Sequence, residues 1–193
     1  MAHFQKDGLW VQGGLGSLSL VSETTPFVPG QLGRVMSIRG ESQSSQADTK
    51  VPRFYQYVQR YTTDSETTVL GAPAYWVDLD DFIVSAEQTD AFGGTTNPTV
   101  AGVFLGAYPA AGKYGFIQVG GIAEVSVTDT VVAGARLEVG DNDQFKTLAA
   151  ITITSQAVSV AVNGQAIAIA VDAVETSTNS VITAILSVVH NGW

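Results

Sequence analysis

From residue 53 onward the chain alternates apolar and polar positions in short bursts, each closed by turn residues. The first burst is Phe54-Tyr55-Gln56-Tyr57-Val58-Gln59-Arg60-Tyr61, where Tyr55, Tyr57 and Tyr61 share one face at a period of two. That is strand spacing. Further β-branched or aromatic runs occupy 74–77, 82–85, 100–107, 114–119, 122–128, 136–139, 145–148, 151–154, 158–162, 166–171 and 181–189. Turn clusters separate them at 78–81, 93–94, 120–121, 140–143 and 163–164. Asn163-Gly164 is the strongest of these, since such a pair suits the positive φ angles of a tight hairpin. A helix is conceivable only around 149–157, and Ile151, Thr152, Ile153 and Thr154 favour a strand even there. Short, regularly spaced strands predict an all-β protein, a small β-barrel or β-sandwich.

The pattern is weaker before residue 53. Residues 1–39 are glycine-rich, and Pro26 and Pro29 interrupt regular structure. Their apolar residues, among them Leu9, Trp10, Val11, Leu15, Leu18, Leu20 and Val21, lack the periodicity to build a core of their own. Residues 40–50 form a Ser- and Gln-rich tract that cannot bury enough apolar surface to fold alone. The expected division is an extended N-terminal arm and polar linker over 1–52 and a β-rich domain over 53–193. An arm of this kind must be buried by something, either a neighbouring surface or its own domain, to which it would add a strand. The stripe Tyr55, Tyr57 and Tyr61 offers a second contact surface, for sugar or protein, although such stripes more often pack within their own assembly.

Composition narrows the functional classes. With 193 residues, 45% apolar and 14% charged, the chain can bury a core and is not wholly disordered. A net charge of −9 without a basic cluster argues against a direct nucleic-acid partner. No apolar run approaches a membrane span, and the opening MAHFQKDGLW lacks the layout of a secretion signal. A soluble cytoplasmic product with no membrane partner is the expectation. The absence of cysteine removes disulfides, thiolate metal sites and cysteine nucleophiles together.

Candidate chemistry is sparse. Gly106 to Gly121 resembles a phosphate-binding loop at first sight, but five residues separate Gly106 from Gly112, and Tyr114 stands where a metal-binding hydroxyl belongs. The run after Lys113 has strand character, so a turn between strands is the better reading. Gly13-Gly14-Leu15-Gly16 lacks the flanking strand and helix of a dinucleotide site. His3 and His190, the two histidines, lie near the termini, where a catalytic base is poorly held. Asp78, Asp80 and Asp81, or Asp141 and Asp143, could offer oxygen ligands to calcium, but short Asp-rich loops more often serve as turns. No cofactor, metal or catalytic residue is expected.

Several segments carry a resemblance. AYWVD at 74–78, AGVFLG at 101–106, GKYGFIQVGGIAEV at 112–125 and AGARLEV at 133–139 are followed by the apolar run at 166–189. Taken in order, they resemble the small β-domain proteins of tailed-bacteriophage heads, the decoration (cement) and head-fibre proteins. The resemblance implies a β-tulip-like body and a non-enzymatic role. It also implies a homotrimer made in the host cytoplasm that binds the major capsid protein on the outer surface of the virion and stabilises the shell. The alternatives are a carbohydrate-binding or host-recognition module on the virion surface, and a hydrolase of unfamiliar type using Asp78, Asp80 or Asp81.

Overall fold

The computed structural model describes residues 3–6, 9–12, 32–33, 35–38, 53–95, 98–106, 110–140, 143–148, 167–174 and 180–187. Its strands are β1 (His3–Lys6), β2 (Leu9–Gln12), β3 (Val35–Ile38), β4 (Arg53–Arg60), β5 (Leu70–Asp78) and β6 (Ile83–Ser85). They continue as β7 (Val100–Leu105), β8 (Tyr114–Val127), β9 (Arg136–Val139), β10 (Phe145–Thr147), β11 (Ala168–Ala170) and β12 (Ser180–Ser187). Among the described residues the only helical element is a 3-10 turn at Gln88–Asp90. The protein is all-β.

β1 and β2 pair with each other, and the other ten strands form one sheet. Its spine is β8, 14 residues long. The first half of β8 pairs antiparallel with β4, from Gln59↔Tyr114 to Phe54↔Gly120, and with β7 at Val103↔Gln118 and Phe104↔Ile117. β7 pairs with β5, β5 with β6, and β6 with β4, so this path of pairing returns to β8. The second half of β8 pairs antiparallel with β12. β12 leads on to β11, β9 and β10, and a single parallel contact, Phe145↔Val127, leads back to β8.

Two clusters are buried in this sheet, and β7 contributes to both, with Phe104 in the first and Val103 in the second. Val58, Ala74, Trp76, Val84, Phe104 and Ile117 are buried in one cluster, and Val125, Val127, Leu137, Phe145, Ile182 and Leu186 in the other. Ile117 and Val119 serve the first cluster while Ala123, Val125 and Val127 serve the second, so the odd-numbered face of β8 lines both.

The glycine pair at 120–121, expected as a turn, lies inside β8. Two residues preserve the parity of a strand, so the same face stays inward across the pair. A Cβ on Gly120 would stand 3.2 Å from the Phe54 ring, which would have to shift by a few tenths of an ångström, and Gly121 has a left-handed φ of 84°. β5 also starts earlier than the apolar run suggested and includes Pro73, aligned with Val103. Part of the expected arm is sheet: β1 and β2 are antiparallel from His3↔Gln12 to Lys6↔Leu9, and β3 pairs antiparallel with β4. The sheet therefore crosses the expected boundary at residue 52. The expected strands at 151–154 and 158–162, the hairpin at 163–164 and the weak helix at 149–157 lie outside the described residues.

Candidate functional site

β4 carries the tyrosine stripe, and the pleat sends Tyr55 and Tyr57 to the face opposite Val58. Both are buried, Tyr57 at 1% exposure. The Tyr57 ring lies 4.9 Å from that of Phe116, its register partner on β8, and stacks at 6.3 Å on Tyr114. Burial pushes the Tyr55 hydroxyl above the usual tyrosine range, against the opposing charge and hydrogen bond of Arg53. Tyr61 follows β4 and is half-buried. Tyr55 and Tyr57 thus pack within the chain and offer little surface to an outside ligand. Leu9, Trp10 and Val11 stand on β2. Leu15, Leu18, Leu20 and Val21 lie outside the described residues, as does the 13–16 glycine cluster.

Most of the carboxylate chemistry gathers where β4, β6 and the 3-10 turn meet. Arg60, buried at the end of β4, donates from Nε to Asp64 Oδ2 at 2.8 Å and from a terminal nitrogen to the Glu66 carbonyl. Asp64 Oδ2 also accepts from the Ala86 N–H at 2.7 Å, and Oδ1 from the Glu66 N–H at 3.0 Å. Burial alone would raise the Asp64 pKa, but the hydrogen bonds from Arg60 and Ala86 and the Arg60 charge outweigh it and leave it below the ordinary value. Glu87 Oε1 accepts from both the N–H and the hydroxyl of Ser65, each at 2.8 Å, which lowers its pKa. Ser85 donates to Asp90 at 2.8 Å.

Asp143, in the loop before β10, reaches this region from the second half of the molecule. Its Oδ1 accepts from the Gln88 N–H at 3.1 Å, and its backbone is left-handed at φ 52°. Tyr75 is fully buried, with its hydroxyl facing the same carboxylate. Burial, helped by the nearby charges of Glu66 and Glu87, raises the Asp143 pKa despite the hydrogen bond from Gln88 and the nearby Tyr75 hydroxyl, which itself makes no hydrogen bond among the described residues. No local motif could have revealed this link, because its partners are 55 residues apart in sequence.

These carboxylates accept from backbone N–H groups, hydroxyls and one guanidinium, which is how loops are pinned to a sheet. Among the described residues, no group of three His, Cys, Asp or Glu side chains could hold a metal ion. Asp78 Oδ1 accepts from the N–H groups of Asp80 and Asp81 at 2.9 and 3.1 Å, so the 78–81 cluster closes a turn between β5 and β6. The glycine–lysine segment behaves similarly: Lys113 N–H donates to the Ala110 carbonyl at 2.9 Å, and the chain passes directly into β8. His3 lies on β1, while Asp141 and His190 lie outside the described residues. Among the described residues no helix is long and apolar enough to cross a membrane.

Compared with protein-family models, curated proteins and solved structures, the chain finds no match.

Proposed function

We propose that this chain is a non-enzymatic structural protein of a tailed-phage virion, which docks on the outside of the assembled capsid through the major capsid protein and reinforces the shell. The observation that best supports this reading is where the resembling segments fall. Residues 74–78 lie in β5, 101–106 run along β7, 112–125 cover most of β8, 133–139 end in β9, and 166–189 span β11 and β12. These strands are joined to one another around β8. The resemblance therefore follows one connected piece of architecture. The use of Asp64, Glu87 and Asp143 as loop fasteners also fits a protein selected for rigidity.

The test is binding to heads that lack the protein, purified from the phage whose genome encodes it. The full chain is expected to co-sediment with such heads and to raise their resistance to heat. A truncation probing the arm should stop at residue 31, because β3 pairs with β4 and the Gly33 N–H donates to the Tyr57 carbonyl at 2.7 Å. Removal of 1–31 is expected to leave a folded β-protein by circular dichroism that no longer binds heads. Failure of the full chain to bind overturns the proposal; binding by the truncated chain at unchanged occupancy moves the attachment surface to the body.

A further inference from the structure

The even-numbered positions in the second half of β8, with their neighbours on β12 and β11, face away from the second cluster, and of these Ser126 and Thr183 are themselves buried. Their inward neighbours Ala123, Ala168, Ala170, Ile182, Ala184 and Leu186 all belong to the second buried cluster. Outward stand Ile169 at 43% exposure, Val171 at 44%, Val181 at 49% and Ile185 at 46%. Register aligns Ile122 with Ile185, Ile185 with Ile169, and Ile169 with Arg136. Three isoleucines thus form a row across β8, β12 and β11, ending on the β9 arginine. The next outward position along β8 is Glu124, aligned with Thr183. β12 and β11 already have strands on both sides, so whatever covers this surface docks face to face rather than by adding a strand.

We infer that this face is where a second copy of the chain docks, about a two-fold axis running along the strands between β11 and β12. Such an axis reverses the strand order, laying Ile169 of one copy over Ile185 of the other and the reverse. It also carries Arg136, at the β9 end of the row, over β8 of the second copy, where Glu124 stands beside Ile122. Each copy supplies both members of the charge pair, and the pair forms twice. Arg136 and Glu124 take part in neither ion pair found among the described residues, Arg60–Asp64 and Lys146–Glu138. The exposed row is apolar along its centre, with Glu124 on the β8 side and Arg136 on the β9 side next to the mutually paired Glu138 and Lys146, so the row is its own complement and suits self-association. A chain of net charge −9 repels its copies, so an apolar contact with charge pairs of this kind is needed to hold two together. The two-fold contact differs from the trimer that the resemblance implies.

Sedimentation equilibrium of the isolated full chain at micromolar concentrations tests the contact without any capsid, so its outcome is separate from that of the head-binding experiment. The expected result is a concentration-dependent species of two chains. Ile185→Glu is expected to give a monomer with an unchanged circular-dichroism spectrum. Arg136→Glu is expected to weaken association roughly tenfold, since two symmetry-related pairs become repulsive at once. Adding Glu124→Arg to Arg136→Glu is expected to restore it. This rescue holds the inference to account even if Ile185→Glu fails to fold. A monomer at every concentration, a mass of three chains, association indifferent to a folded Ile185→Glu, or no rescue by the charge swap overturns it, as does a cross-link showing residues 149–166 of the same chain on this face.

Discussion

Asp64 and Asp143 are both fastened to backbone N–H groups, yet their pKa values move in opposite directions. For Asp64 burial is outweighed by the buried Arg60 guanidinium and the Ala86 N–H. Its folded pKa lies below the unfolded one, so its stabilisation is present above the unfolded value and is lost as pH falls through the folded value. Asp64→Asn removes the carboxylate charge that faces the buried Arg60 Nε and is expected to cost about 3 kcal/mol in urea unfolding at neutral pH; a loss below about 1 kcal/mol would mean that the other groups around Arg60 or water replace the carboxylate freely. For Asp143 burial and the neighbouring Glu66 and Glu87 raise the folded pKa. Its charge is a cost above the folded pKa, relieved as pH falls through that value towards the unfolded one. Asparagine keeps an acceptor for the Gln88 N–H and tolerates the left-handed backbone. Asp143→Asn is therefore expected to stabilise the protein at pH 7, by less than about 1 kcal/mol because the group is partly solvated. That gain should vanish below about pH 4, and urea titrations at the two pH values will show whether it does.

At the scale of elements, the period of two was legible wherever a strand keeps one face in a core. The run at 136–139 is β9 as printed in the sequence, and the odd-numbered residues of β8 could be followed on both sides of the glycine pair. What misled was the assumption that adjacent glycines end a strand. β1, β2 and β3 were illegible because four-residue strands in a glycine-rich stretch leave too little pattern to separate from coil. Pairing order was hidden too, since β4 takes β3, β6 and β8 as neighbours, two of them distant in sequence. The carboxylate fasteners follow from that order, so only the turn at 78–81 was readable in advance. One close approach that the pairing creates is testable: a Cβ on Gly71, at φ 79°, would lie 2.7 Å from the backbone of Val125 and Ser126. Gly134 has a similar φ of 84° with nothing within 4 Å. Gly134→Ala is expected to cost about 1 kcal/mol, the backbone term alone. Gly71→Ala adds the displacement of β5 from β8 and should cost at least about 2 kcal/mol. Equal losses for the two variants in thermal unfolding would mean that β5 and β8 separate without resistance.

For the whole molecule, the decisive feature is that the two buried clusters share strands: β8 lines both, and β7 gives Val103 to the second cluster and Phe104 to the first. Had each cluster its own strands, the protein could melt in two stages, as weakly joined domains do. Here Ile117 and Val125 belong to different clusters yet lie eight positions apart on β8, and Asp143 ties the β10 side of one path to the Gln88 turn of the other. Losing either core removes hydrogen-bonding partners from half of β8 and exposes the end of the other core. The two halves are therefore expected to unfold as one unit. Leu137→Ala tests this, because Leu137 is fully buried in the second cluster and far along the sheet from β5. The cavity should cost about 2–5 kcal/mol. In a single cooperative unit that loss appears equally in the slowest-exchanging amides of β5, β7 and β12, which open only on global unfolding. Hydrogen exchange followed strand by strand separates the outcomes: a uniform loss of protection supports the shared strands as the coupling elements, whereas loss confined to β9, β11 and β12 with β5 unchanged would show that the halves fold independently in spite of β8 and β7.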